Sequence, residues 1–237
     1  MPGYTRHQLK EDKLADAAKG TVHWAAAHRG KLIAASTVVA ILLIAGLGGW
    51  AFLRHRDAEA SVALGAAIRT YNTPLHSPES PAQPGVPSFT SAKERAQAAQ
   101  KEFLEIASKY SYTKTAEIAR YMAGLVAVDL GDAAAAEREL KAIAESHNRD
   151  LAPLAKMALA SLYRSQKREA DAITLYKELI DQPTRTVPKS MAQLELASMY
   201  ESSQPAEAMR IYEQIKTENP KSPAAQLAEG RIAAVQK

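Results

Sequence analysis

The stretch that decides the fold is LASLYRSQKREADAITLYKELIDQP, residues 159–183. A large and a small residue stand side by side at Leu159 and Ala160, and a tyrosine follows three positions later. The second half carries Ala172 and, four positions on, Tyr176, before a proline ends the apolar pattern. Apolar residues three and four positions apart are typical of amphipathic helices. The stretch therefore predicts two short helices joined by a turn.

This two-helix pattern recurs along the chain. The bulky residues of the second helices recur every 36 or 37 positions, and an alanine precedes each by four: Phe103, Leu140, Tyr176 and Tyr212, with Ala99, Ala136, Ala172 and Ala208. The first helices carry the paired residues Leu64-Gly65, Ala123-Gly124, Leu159-Ala160 and Leu196-Ala197, and three positions on stand Ile68, Ala127, Tyr163 and Tyr200. A period of this length built from two helices is the signature of a solenoid.

The columns resemble the tetratricopeptide repeat, in which small residues let paired helices approach and aromatic residues fill the space between them. The resemblance implies an all-α fold of about four helix pairs with a C-terminal capping helix over residues 222–236. The first pair is interrupted by TPLHSPESPAQPGVPSFT, residues 73–90, whose five prolines exclude regular structure and predict an exposed loop. Ser91 and Glu94 then fit a capping box, which predicts the start of the next helix.

A second informative stretch is LIAASTVVAILLIAGLGGWAFL, residues 32–53, which holds 22 residues without a charge. A helix needs about 20 apolar residues to cross the hydrocarbon core of a bilayer. The sequence therefore predicts a polar tail at residues 1–31, a transmembrane helix at 32–53 and a repeat domain at 57–237.

The alternative is a cleaved signal peptide, because Ala58-Glu59-Ala60 imitates a cleavage site. The apolar run exceeds the ~7–15 residues usual for a signal peptide, and charged residues follow it directly. We therefore expect an uncleaved anchor. Lysine and arginine near the run favour a cytoplasmic N-terminus by four to three: Lys13, Lys19, Arg29 and Lys31 against Arg54, Arg56 and Arg69. Ala45 and Gly49 form a small-xxx-small pair that permits close helix approach, but the sequence leaves the oligomeric state open.

Charge and composition exclude several classes of function. Residues 1–56 carry a net charge of +5 and residues 57–237 a net charge of −1, so the folded part lacks the basic surface of a nucleic-acid binder. The absence of cysteine excludes disulfides and thiolate metal sites, and the six histidines show no ligand spacing. Residues 111–114 match the S-x-x-K motif of penicillin-recognising enzymes, but its companion motifs S-D-N and K-T-G are absent, as is the phosphate-binding P-loop motif. We therefore expect no enzyme activity, no cofactor and no metal.

The layout of an uncleaved N-terminal span followed by tetratricopeptide repeats resembles the bacterial ancillary SecYEG translocon subunit family. That resemblance implies an inner-membrane protein with a cytoplasmic N-terminus and periplasmic repeats. Its partners would be translocon subunits, periplasmic chaperones or unfolded client chains. Two other functions stay open: a structural scaffold in an envelope complex, and an organellar import receptor whose repeats face the cytosol.

By the same resemblance, ligands of such repeats contact the concave face of the first helices. In this sequence the corresponding residues are Ile118, Tyr121, Leu125, Val128, Leu154, Met157, Arg164, Met191, Leu194 and Glu201. This lining is mostly apolar and includes adaptable methionines, which suits a permissive groove for extended chains. Alternatively, these side chains pack against the N-terminal helix or a second copy of the chain.

Overall fold

The computed structural model describes residues 28–76 and 88–235, and within them the fold is all-α. The described helices are α1 (Arg29–Asn72), α2 (Ala92–Lys109), α3 (Lys114–Asp129), α4 (Ala133–Ala144), α5 (Leu151–Ser165), α6 (Glu169–Asp181), α7 (Lys189–Ser203), α8 (Pro205–Glu218) and α9 (Pro223–Val235). The expected all-α fold class is confirmed.

The chain divides into two compact units between His55 and Arg56. In the first unit, the described residues from Arg29 onward are helical, and their apolar side chains are exposed. On length and composition, α1 is the one described helix that could cross a membrane. The two hydroxyl groups of the apolar run, residues 32–53, are satisfied within the helix, because Ser36 and Thr37 both donate to the carbonyl of Ile33. Most of the predicted polar tail lies outside the described residues.

The second unit begins with the last part of α1, which packs on α2 and α3. Ala60, Leu64 and Ala67 are buried there in one cluster with Phe103 and Val126. A second and larger cluster continues from Ala127 through the later helix pairs to α9. Because neighbouring residues of α3 belong to the two clusters, this helix is shared by both cores.

The columns predicted for the second helices are confirmed. The four bulky residues are almost completely buried, and the four alanines that precede them have no exposed surface: Phe103, Leu140, Tyr176 and Tyr212, with Ala99, Ala136, Ala172 and Ala208. Alanine at these positions lets the paired helices approach closely. Gly124 shows how closely, because a Cβ atom built there would lie 2.8 Å from the Leu140 side chain.

The register predicted for the first helix pair is wrong by one residue. Gly65 was expected to face the second helix as Gly124 does, but only the Arg69 side chain comes near it. Ile68 was expected in the core and is 36% exposed, whereas Leu64 and Ala67 are buried. Burial in α1 therefore places Leu64 in the position that Gly124 occupies in α3.

The prolines of residues 73–90 predicted an exposed loop, but the loop is not exposed along its whole length. Thr73 and Phe89, near its two ends, are buried. The amide of His76 donates to the carbonyl of Phe89 at 3.1 Å, and Arg95 donates to the carbonyl of Thr73 at 2.8 Å. Both ends of the loop are thus fixed to the repeat domain, and residues 77–87 lie outside the described residues.

The capping box at the start of α2 is formed with one change of partner. The Ser91 hydroxyl accepts from the amide of Glu94 at 3.1 Å, as predicted. The Glu94 carboxylate accepts in return from the amide and hydroxyl of Thr90, one residue before the predicted partner. The exchange still satisfies amide groups that the first turn of a helix leaves without partners.

Candidate protein-binding surface

The first helices of the pairs form one layer of the repeat domain, and the second helices form the other. Across pairs, α3 contacts α5 and α7 contacts α9. No two second helices approach each other as closely among the described residues. Helices that lie closer together are on the inside of the curve, so the first helices line the concave side. We call the exposed side of this layer the inner face. The ten residues that the sequence predicted lie on α3, α5 and α7 of this layer.

The part of the inner face on α3 is apolar. Ile118 and Val128 are each more than one-third exposed. Tyr121 and Leu125 lie between them and are partly buried against the main core. Burial raises the pKa of the Tyr121 phenol, which stays neutral at physiological pH. This part of the face can therefore offer apolar contacts, with Lys114 and Glu117 next to Ile118 at one end.

The apolar residues predicted on α5 and α7 form a partly buried floor with one exposed member, Met191. Leu154 and Met157 pack against a small cluster that contains Val187 and Ala192. Leu194 packs against the main core in the same way. Met191 is 46% exposed, which makes it more accessible than Ile118 or Val128. A ligand would meet the flexible thioether of Met191 first, over a floor that is already packed.

The two charged residues on this face are engaged by the protein itself. The guanidinium of Arg164 lies 3.2 Å from the Ser198 hydroxyl and 3.5 Å from the Glu195 carboxylate, both on α7. The Glu201 carboxylate accepts from the Tyr212 hydroxyl at 2.7 Å and lies 3.7 Å from Arg231 on α9. Both side chains thus connect neighbouring elements instead of projecting toward a ligand.

The sequence missed one residue of the inner face, Ile68. With the corrected register it lies where Val128 lies on α3, and the two are about equally exposed. The only signal in the sequence is the spacing of Ala60, Leu64 and Ala67, four and three residues apart, and all three are buried in the structure. These three residues define the packed stripe of this helix, and Ile68 lies outside it. The inner face therefore begins on α1.

The sequence also missed an alanine column that holds consecutive pairs together. Ala119, Ala155 and Ala192 recur at intervals of 36 and 37, and all three are completely buried. Ala155 packs with Ile143 near the end of the preceding second helix, and Ala192 packs with Leu179 in the same way. The regular spacing was present in the sequence, and it marks the contact of each first helix with the preceding pair.

A separate cleft of about 740 Å³ lies between α6, α7 and α8. Three of its charged lining residues are paired: Arg210 binds Glu207, and Lys189 binds Glu218 outside the lining. The side-chain oxygen of Gln193 is buried there without a hydrogen-bond partner. Among the described residues, no group of three or more His, Asp or Glu side chains could hold a metal ion. The cleft is therefore a mixed polar surface, unlike the apolar inner face.

A family model described as a tetratricopeptide repeat-like domain matches residues 22–179. The chain belongs to the tetratricopeptide repeat-like family. The match includes the apolar run and the first three helix pairs, and the structure continues the same pattern through the fourth pair to α9. Searches of curated proteins and of solved structures found no match. Tetratricopeptide repeat-like domains mediate contacts between proteins, so membership in this family indicates that the chain has protein partners.

Proposed function

We propose that this tetratricopeptide repeat-like protein is a membrane-anchored adaptor that binds extended or unfolded polypeptides on its inner face. Residues 32–53 would anchor it in the bacterial inner membrane, with residues 57–237 in the periplasm. Family membership and the resemblance to the ancillary SecYEG translocon subunits support this proposal. Translocon subunits, periplasmic chaperones and secreted client chains would be its partners.

The observation that carries the proposal is an apolar surface on a face whose two predicted charged residues, Arg164 and Glu201, are bound to the protein itself. Ile118, Val128 and Met191 are exposed, and their neighbours form an apolar floor. Burying several such side chains at ~25 cal/mol per Å² leaves a few kcal/mol after the costs of ordering, which is enough for micromolar and transient binding. Such binding suits an adaptor that must release its client.

The binding test uses the full chain in lipid nanodiscs and a fluorescent, reduced and carboxymethylated protein as the unfolded probe. We expect micromolar affinity with little change between about 50 and about 500 mM salt, because screening weakens electrostatic contacts and leaves apolar ones. The double variant Ile118→Ser with Met191→Ser should weaken binding at least about tenfold, a loss of about 1.4 kcal/mol. Both side chains are exposed, so the fold should be preserved.

The matched control is Val62→Ser on α1, which removes an apolar side chain that is 75% exposed. In the corrected register Val62 corresponds to Met122, which is not one of the inner-face residues. This variant should bind the probe as the parent does. Equal losses in both variants would indicate non-specific adhesion and would contradict the proposal. A steep decline with salt would contradict it as well.

The structural scaffold is the second candidate, and the bonds made by Arg164 and Glu201 favour it. Their bonds to α7, α8 and α9 show the chain connecting its own inner face. If the inner face served only to hold the array together, the probe would not bind and amide exchange on α3 and α5 would be slow. If the probe binds and the amides of α3 and α5 exchange more slowly in its presence, the adaptor function is supported.

The membrane topology has its own test. The motive is α1, which is long and apolar enough to span, together with the slight excess of Lys and Arg before the run. A phosphatase fused after residue 237 should be active, and a fluorescent protein that fails to mature after export should remain dark. The opposite pair of results would favour repeats in the cytosol, as in an import receptor.

A further inference from the structure

The turn between α2 and α3 presents a single large side chain to solvent. Tyr112 is 88% exposed, whereas Tyr110 and Thr113 on either side are buried. The amide and hydroxyl of Thr113 both donate to the Tyr110 carbonyl at 2.9 Å, and the same hydroxyl accepts from the Ala116 amide. Because these bonds fix the turn, the exposed position of Tyr112 is a property of the fold.

This turn is bound to the residues that follow the apolar run most closely. The Arg56 guanidinium donates to the carbonyl of Lys109, and the Asp57 carboxylate accepts from the amide of Thr115 at 3.0 Å. Only three residues lie between Leu53 and Asp57, so in any conformation the two are at most about 14 Å apart. The covalent chain alone therefore keeps the turn near the end of the run.

Three positive side chains, those of Arg56, Lys109 and Lys114, lie at the turn, and Glu105 lies beside Lys109. The Arg56 guanidinium carbon lies 5.2 Å and the Lys109 ammonium 5.1 Å from the centre of the Tyr110 ring. Lys114, which begins α3, is exposed beside them. The nearby carboxylate of Asp57 is occupied by the end of α3. An aromatic ring with cationic neighbours is the combination that favours the headgroup region of an anionic bilayer.

The corresponding turns farther along the array lack this combination. The turns between later pairs, residues 145–150, 182–188 and 219–222, contain no Phe, Tyr or Trp. An exposed aromatic side chain therefore occurs only at the turn nearest the apolar run. If Tyr112 served the array, for example by stabilising the turn, it would be expected to recur with the repeat.

We propose that this turn docks on the bilayer surface, with Tyr112 among the headgroups and Lys109 and Lys114 near lipid phosphates. The proposal rests on the membrane anchor of the proposed function. Docking fixes how the repeat domain stands on the membrane, which the anchor alone does not. The partner is the anionic phospholipid surface, recognised by an interfacial phenol and by positive charge.

The absence of cysteine allows a direct test on the full chain in nanodiscs. A single Ser111→Cys variant carries an environment-sensitive dye next to Tyr112. With anionic lipid, dye emission should shift to the blue, and headgroup spin-labelled lipids should quench it at least several-fold. The matched control is Ala134→Cys, exposed on the first turn of α4 at the other end of α3. A dye there should be neither shifted nor quenched.

Two further variants assign the effect to Tyr112. In the Ser111→Cys background, Tyr112→Ser should reduce quenching to the level of the Ala134 control, and Tyr112→Trp should preserve it. In discs of neutral lipid alone, quenching should fall, because the contribution of the lysines is lost. Equal quenching at both positions, or quenching unaffected by Tyr112→Ser, would overturn the docking.

Size-exclusion chromatography of the nanodiscs distinguishes a failure of the membrane anchor from a failure of the docking. If the protein elutes with the discs while the Ser111 dye remains in water, the docking is overturned and the anchor stands. If the protein elutes apart from the discs, the anchor fails, and the docking that depends on it fails too. In that case the Tyr112 surface would have to be explained by a protein partner.

Discussion

The carboxylate of Asp57 accepts a hydrogen bond from the main-chain amide of Thr115 at 3.0 Å. An acidic residue of the first helix thus caps the N-terminus of α3, 58 residues later in the sequence. Such a cap satisfies a free amide and places negative charge at the positive end of a helix dipole.

Asp57→Ala should lower the free energy of unfolding of the repeat domain by about 0.5–2 kcal/mol, because an amide loses its cap. Asp57→Asn should cost less, since the amide oxygen can still accept the bond while the charge is lost. Chemical denaturation followed by circular dichroism measures both. Equal stability of the parent and Asp57→Ala would show that water replaces the carboxylate without cost.

Two of the first helices, α3 and α5, end in similar turns, with glycine at the key position in one and lysine in the other. Gly131 and Lys167 both have a positive φ, 72° and 61°, and the amide after each donates to a carbonyl five residues back at 2.9 Å. Lysine is strained there, because its Cβ lies too close to the backbone in this conformation. Lys167→Gly should therefore raise stability by about 0.5–1 kcal/mol, and Gly131→Lys should lower it by about as much or more. Thermal melts of both variants check this pair, and opposite signs would contradict the argument.

A second matched pair tests the corrected register of the first repeat. At Gly124 an added Cβ would lie 2.8 Å from Leu140, which is completely buried and has no room to move. Gly124→Ala should cost about 1–3 kcal/mol. At Gly65 the nearest atom is the flexible end of Arg69 at 3.6 Å, so Gly65→Ala should stabilise the helix by about 0.5–1 kcal/mol. If Gly65→Ala were the more harmful change, the original alignment of Gly65 with Gly124 would be right.

Tyr176 makes the stability of the repeat domain depend on pH in the alkaline range. Burial, assisted by the charge of Glu195, raises the pKa of its phenol to about 12 from an ordinary 10.0. The folded protein therefore holds this proton more tightly than the unfolded chain does. Its contribution to stability is complete below pH 10 and is lost as the pH rises from about 10 to about 12. Tyr176→Phe should make the loss of stability between pH 10 and 12 shallower while changing stability at pH 7 little, as measured by denaturation at each pH.

The second-helix columns could be predicted because their requirement is local: a bulky residue must fill the space that an alanine one turn earlier leaves open. Tyr176 and Tyr212 fit that rule on sequence alone. The register of α1 could not be predicted this way. Gly65 imitates the small residue of the repeat, and only the packing of Leu64 and Ala67 shows which side of this helix meets its partner.

The apolar residues of the candidate surface came from the resemblance to tetratricopeptide repeats, and Ile118, Val128 and Met191 are exposed in the structure. Whether they bind a ligand stays a prediction. The availability of the charged residues did not follow. Arg164 and Glu201 project from the predicted positions, but their partners come from helices 31 to 34 residues away or from α8 and α9. Such pairings depend on how the pairs stack, which sequence spacing does not determine.

Because α3 belongs to both buried clusters, the order in which the chain is synthesised matches the order in which its cores can close. The first cluster is complete once Val126 is available, and nothing in it waits for a later helix. Each subsequent helix then docks on a surface that already exists, since contacts join neighbours along the sequence. We expect a nascent chain to fold stepwise from its N-terminal side, with few apolar surfaces left waiting for distant partners. An anchor that arrives first would start that process at the membrane.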